Sequence, residues 1–167
     1  MKIDTNKQIK KLGEIADEYN AFFIDLWGVV HNGVKLFPGI LNTLEELKVK
    51  GKEVIFITNA PRRSKVIKDQ LAEFGVSNKY YKDVVSSGEI SWLWMKEKSI
   101  ESSKKLACFH IGPQRDNNLL EEIDIIKTNI IKKADFVLNT GPWGDEDKLE
   151  NYTDTLDRLN EIQLPMI

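Results

Sequence analysis

Two short apolar runs, each closed by a polar residue and each followed by an amphipathic segment, restrict what this chain can fold into. The first is AFFIDLW, Ala21 to Trp27, ending at Gly28; the second is EVIFIT, Glu53 to Thr58, ending at Asn59. Continuous apolar runs of this length read as strands buried on both faces, the pattern of a parallel sheet covered by helices. Between them Pro38 and Gly39 open a helical pattern through Ile40, Leu44 and Leu47 that stops at Gly51. After the second run, Ile67, Leu71 and Phe74 recur at helical spacing and stop at Gly75, and DVVSS, Asp83 to Ser87, reads as a third strand. Ser86 and Glu89 stand at capping-box spacing ahead of a further helix, ISWLWM. Strand and helix alternate, so right-handed βαβ units and a parallel α/β sheet are expected, with ligands beyond the carboxyl ends of the strands.

Around this frame the expectations are plainer. Thr5 and Gln8 are placed to cap an amino-terminal helix carrying Ile9, Leu12, Ile15, Ala16 and Tyr19. The polar stretch Lys96 to Lys105 has no apolar period and reads as a linker, which divides the chain into domains at 1–98 and 99–167. Beyond it, Leu106 to Gly112 and Ala134 to Gly141 read as strands, LLEEI as a short helix, and Asp145 to Gln163 as a long helix striped by Leu156, Leu159 and Ile162. LPMI, at the end, resembles the start of another strand. Gly144 to Asp147 reads as a helix cap, and Trp92, Trp94, Met95, Cys108 and His110 as core or rim residues.

Composition removes several function classes. With 24 basic and 26 acidic residues the net charge is −2, so no bulk field draws the chain to nucleic acid or to an anionic membrane. The apolar runs fall short of the ~18 residues a membrane helix needs, and the amino terminus lacks a secretory apolar stretch. The single Cys108 cannot form an internal disulfide, which suits a reducing, cytoplasmic setting.

The chemistry concentrates at the two strand ends. A carboxylate at the end of a buried strand, Asp25, requires a cation or N–H donors, and so held it is a candidate nucleophile toward phosphorus. An Asp that merely caps the next turn is the competing reading. Thr58 and Asn59 end the second run in the equivalent place, and adjacent strands lie ~4.8 Å apart, so Asp25 and Thr58 are expected to face one small site. A hydroxyl, an amide and free N–H groups at a helix start suit phosphate, to which Arg62, Arg63 and Ser64 add charge-assisted contacts.

The pattern DLWGVVHNG, then PG, then FITNAPRRS resembles the haloacid dehalogenase (HAD) superfamily, and within it subclass IIA, the group of pyridoxal phosphatase and sugar-phosphate phosphatases. The likeness covers Ala21 to Ser91, and from Lys105 onward the chain resembles that subclass's α/β cap. It implies a Rossmann-like parallel core, here its amino-terminal half, with a partial cap. It further implies Asp25 as a nucleophile forming an aspartyl-phosphate, Asp25 and the Trp27 carbonyl as Mg²⁺ ligands, and phosphate binding by Leu26, Trp27, Thr58, Asn59 and Arg63. The partner it implies is a small phosphorylated metabolite, with a second copy or a complementing chain over the open sheet edge.

Two departures accompany the resemblance. Trp27 stands where such phosphatases usually carry a second Asp as general acid, and an indole has only an N–H donor. His31 is a candidate substitute, since it titrates near neutrality. The later Lys and Gly-Asp motifs are absent before Ile167, which reads as truncation. The alternative function is therefore a catalytically silent HAD-like fragment or binding protein.

Overall fold

The computed structural model describes residues 9–144 and 146–167. The chain forms two compact units, one from Met1–Thr58 with Ser64–Val85, the other from Asn59–Arg63 with Ser86–Ile167.

In the first unit, β1 (Ala21–Asp25), β2 (Glu53–Thr58) and β3 (Asp83–Ser86) form a sheet in the order β1-β2-β3. Strands β1 and β2 are parallel, with Asp25 level with Ile57. Helix α1 (Ile40–Val49) joins β1 to β2 and buries Leu44 and Leu47. Helix α2 (Ser64–Glu73) joins β2 to β3 and buries Ile67 and Leu71, so both crossovers carry the apolar stripe the sequence indicates. The helix stops expected at Gly51 and Gly75 fall two residues past Val49 and Glu73.

Two expectations fail in this unit. Strand β1 is not buried on both faces: Ala21, Phe23 and Asp25 are exposed, Phe23 to 67%. The exposed residues alternate along the strand and so share one face of the sheet, which the described residues leave open. The amino-terminal helix is also replaced. Thr5 and Gln8 lie outside the described residues, and the segment beyond them makes two 3₁₀ turns, Leu12–Glu14 and Ala16–Glu18. Lys11 is extended and caps nothing, Gly13 disfavours a helix by about 1 kcal/mol, and only Ala16 is buried, so no apolar face offsets that cost.

In the second unit, α3 (Ser87–Glu101) starts at the expected cap, where the Ser86 hydroxyl accepts the Glu89 N–H at 3.1 Å. The helix continues through Lys96–Glu101, which the sequence assigns to a linker; only 102–105 lie outside regular structure, and the boundary expected at 98/99 falls inside α3. Periodicity misses this turn because Met95 is its last fully buried residue, leaving a solvated helix end. Strands β4 (Leu106–Ile111), β5 (Ile125–Lys127) and β6 (Phe136–Asn139) form a parallel sheet in the order β5-β4-β6. The terminal LPMI forms no named strand but makes an isolated parallel bridge, Val137 with Met166. Val137 N–H donates to Pro165, and Asn139 N–H to Ile167, at 2.8 Å each.

Met95, Cys108, Leu119, Ile125, Phe136 and Leu138 make the core of this unit, with Trp94 edge-on to Phe136 at 5.5 Å. Burial pushes the Cys108 thiol up to about 11, as for a small core hydrophobe. LLEEI, residues 119–123, is not a helix: a 3₁₀ stretch, Gln114–Leu120, ends two residues into it, and β5 has no counterpart in the sequence reading. The long carboxyl-terminal helix shortens to α4 (Thr153–Ile162), preceded by a 3₁₀ turn at Leu149–Asn151. Asp145 lies outside the described residues; Asp147 closes its own turn by accepting the Gly144 N–H at 2.9 Å.

The start of this sheet is tied by Asp135. Its carboxylate accepts from the Lys104 ammonium and from the Ala107 N–H at 2.8 Å, and these bonds hold it below its ordinary 3.8. A depressed carboxyl stabilises the fold above its unfolded value and loses that contribution as pH falls through its folded value. Asp135→Asn is expected to cost about 1 kcal/mol in urea unfolding at neutral pH. The gap between variant and parent should close only below the ordinary carboxylate range.

Candidate active site

The site begins where β1 stops. Past Asp25, the Leu26 carbonyl accepts N–H groups from Val29, Val30 and His31, and Gly28 N–H donates to the His31 carbonyl at 2.9 Å. Among the described residues no backbone hydrogen bond of this turn involves the Trp27 N–H or the Trp27 carbonyl. Leu26 and Val30 are buried and anchor it, while Trp27 is 66% exposed. Asp25 itself is exposed, so its carboxylate is not desolvated as the buried-strand reading required. His31 is buried, accepts the Gly33 N–H on Nδ1 at 3.0 Å, and packs its ring against Phe74 at 5.2 Å. It serves the turn, and its expected role as a substitute acid has no support in this placement.

Strand β2 brings Thr58 to the same end of the sheet, one residue past the Asp25–Ile57 pair, and there it is half-buried. Asp25, Leu26, Trp27 and Thr58 thus gather at the carboxyl ends of two adjacent parallel strands, where ligands bind in open α/β sheets.

Asn59 and Arg63 sit on the five-residue segment that belongs to the second unit. Four contacts fasten that segment to the start of α3. The Ser86 hydroxyl donates to the Arg62 carbonyl at 2.6 Å, and Gly88 N–H donates to the Ala60 carbonyl at 3.1 Å. The Arg63 guanidinium grips Glu89 at 2.8 and 3.1 Å and lies over the Trp92 ring, 3.5 Å from its centroid. This departs from the expected phosphate contact: the Arg63 fork is occupied by a carboxylate and an aromatic face. Gly88 matters as a glycine, because a Cβ there would lie 2.3 Å from the Arg62 nitrogen and 2.7 Å from two further backbone atoms.

A family model for haloacid dehalogenase-like hydrolases matches residues 22–126, more than half of the chain. The chain belongs to the haloacid dehalogenase-like hydrolase family. Among curated relatives it is 28% identical over 110 residues to phosphoglycolate phosphatase 2 of Arabidopsis thaliana, covering 65% of this chain and 35% of that one. It is 31% identical over 71 residues to 4-nitrophenylphosphatase of Schizosaccharomyces pombe, covering 42% of this chain and 24% of the other. A crystal structure of a haloacid dehalogenase-like hydrolase from Brucella suis 1330 superposes with a TM-score of 0.79 at 31% identity, covering 95% of this chain and 58% of that one. The chain therefore spans about a third or less of these curated relatives' length and somewhat over half of that solved structure.

For this family member, the hard-oxygen donors at the strand end are the Asp25 carboxylate and the Trp27 carbonyl. Among the described residues no group of three His, Cys, Asp or Glu side chains stands ready for a metal ion. Two protein oxygens completed by water and a substrate phosphate suit Mg²⁺, which keeps several waters and rarely uses an all-protein cage. The residues present fit that ion.

Sequence reasoning missed the support of the Asn59–Arg63 segment by Gly88, Glu89 and Trp92. The SSGE capping pattern was the available signal, but it marks a helix start and says nothing of what packs on it. Gly88→Ala is expected to destabilise the protein by about 2–3 kcal/mol in urea unfolding, since the opposing atoms are backbone and cannot swing away. Arg63→Met, which keeps the aliphatic stem, should cost only about 1 kcal/mol.

Proposed function

We propose that the protein is a phosphatase-type hydrolase acting on a small phosphorylated metabolite through an aspartyl-phosphate on Asp25. The observation that carries this reading is Asp25 ending β1 beside Thr58 ending the parallel β2, in a chain of this family. On this reading the first unit is the amino-terminal half of the catalytic core and the second a partial cap.

Phosphoryl transfer asks chiefly for an in-line nucleophile and for charge stabilisation around the equatorial oxygens. An Asp25 oxygen attacks phosphorus while the bond to the leaving oxygen breaks, and the leaving group departs with its electron pair. Water then attacks the aspartyl-phosphate, releasing phosphate and restoring the carboxylate. The Leu26, Trp27 and Asn59 N–H groups are assigned to the phosphoryl oxygens, with the Thr58 hydroxyl as a further donor. Mg²⁺ held by the Asp25 carboxylate and the Trp27 carbonyl would supply neutralisation of the phosphate charge. Arg63 is assigned to holding the Asn59 segment through Glu89 and Trp92.

Trp27 sets the substrate range. With an indole in place of a carboxyl acid, about 10²–10⁴-fold of proton-transfer assistance is missing, so acyl and aryl phosphates should be favoured over alkyl ones. The two phosphatases among the relatives support a phosphomonoester substrate. A second reading, a silent binding protein, is favoured by the same Trp27.

The test is turnover of acetyl phosphate and p-nitrophenyl phosphate with Mg²⁺. Asp25→Asn is expected to lower kcat by about a thousandfold or more, and Thr58→Ala by about a hundredfold. Turnover indifferent to Asp25→Asn would sink the nucleophile assignment. Absence of turnover in a folded parent chain would favour the binding-protein reading.

A further inference from the structure

The second unit carries its own strand-end constellation, unused by the chemistry above. Its sheet runs β5-β4-β6 in space but β4, β5, β6 along the chain, so successive connections leave β4 to opposite sides. The gap between the carboxyl ends of β4 and β6 is therefore a topological switch point, the place where open α/β sheets bind ligands. His110, next to last in β4, and Thr140, directly after β6, meet there with the His110 Nε2 and the Thr140 hydroxyl 2.9 Å apart. His110 is 6% exposed, and its Nδ1 lies 3.0 Å from Oδ1 of Asn117. Lys127, the last residue of β5, donates to that same Oδ1 at 2.8 Å.

The proton positions follow from the chemistry of the partners. An ammonium only donates, so the Asn117 atom facing both Lys127 and His110 is the oxygen, and His110 carries its proton on Nδ1. Nε2 is then an acceptor, and the Thr140 hydroxyl spends its one hydrogen on it. Burial holds His110 below its ordinary value, consistent with a neutral ring. Gly112 keeps the two strand ends in contact, since a Cβ on it would overlap the Thr140 hydroxyl and come within 2.7 Å of Nε2.

What remains open at this point is specific. The Thr140 oxygen offers lone pairs, so it seeks a donor. The Asn117 amide and the unspent Lys127 hydrogens seek acceptors, and Lys127 is exposed with no carboxylate in ion-pair range among the described residues. Asn117 and Thr140 are half-buried, so solvent reaches the site.

We propose that this switch point is a second small-molecule site, which takes a hydroxylated oxyanion. The anionic group meets Lys127 and Asn117, the ligand's hydroxyl donates to Thr140, and His110 is the positioning residue that turns the Thr140 lone pairs outward. The proposal is independent of the aspartyl-phosphate reading.

The experiment follows the His110 imidazole by NMR in ¹⁵N-histidine-labelled protein without Mg²⁺, titrated with glycolate, glycerol 3-phosphate and acetate. Nδ1 should be the protonated nitrogen. Glycolate or glycerol 3-phosphate should shift the ring saturably, the responding probe distinguishing a carboxylate ligand from a phosphate one. Acetate, which lacks the hydroxyl, should bind about tenfold more weakly than glycolate. Lys127→Met should weaken every anion by about tenfold, and Thr140→Val should abolish the preference for glycolate over acetate. Asp25→Asn should change none of this, which separates the site from the one at β1. No saturable shift with any probe, or binding undiminished in Lys127→Met, would overturn the proposal. Lys127 is on the surface, so that variant decides the matter even where Thr140→Val does not fold.

Discussion

The close approach of Gly88 to the backbone of Pro61 and Arg62 is the contact on which the Asn59–Arg63 segment depends most. There is no room for a side-chain carbon at that position, and the hydrogen bonds from Ser86 and Gly88 to the Arg62 and Ala60 carbonyls exist only because the backbones come so near. The Arg63–Glu89 pair and the Trp92 ring then fix the end of the segment. Individually these bonds are modest, about 0.5–1.5 kcal/mol for a neutral hydrogen bond. Acting on Ala60, Arg62 and Arg63, they remove conformational freedom a loop between a strand and a helix would otherwise keep.

Both units place polar groups by one device. A parallel sheet ends its strands on one side, and the chain has to turn there, leaving N–H groups, carbonyls and short polar side chains that no helix covers. In the first unit this gathers Asp25, the Leu26–Trp27 turn and Thr58. In the second it gathers His110, Thr140 and, through β5, Lys127 with Asn117. The two sets differ in burial. Asp25 is exposed at the end of β1, whereas His110 is buried with both ring nitrogens engaged.

Where local chemistry suffices, the sequence is legible. The Ser86–Glu89 cap, the glycine stops of α1 and α2, and the strands β1, β2, β4 and β6 all appear where spacing and turn residues put them. Burial of β1 is misread because apolar content measures what a strand can bury, and Phe23 stands on the sheet face that the described residues leave open. The Lys96–Lys105 linker is misread because a solvated helix end and a linker share a composition; the hydrogen bonds of α3 distinguish them. The three residues of β5 are too few for any period to register.

The sequence by itself determined the α/β class, the family, and the residues offered at the ends of β1 and β2, because strand runs, helix stops and the DLWG and ITNAP segments are local patterns. Only the tertiary structure decided that Arg63 serves Glu89 and Trp92, that one face of β1 is open among the described residues, and that His110 meets Thr140 at a switch point. Each of those depends on which residues far apart in the chain come within a few ångströms, and local propensity carries no information about that.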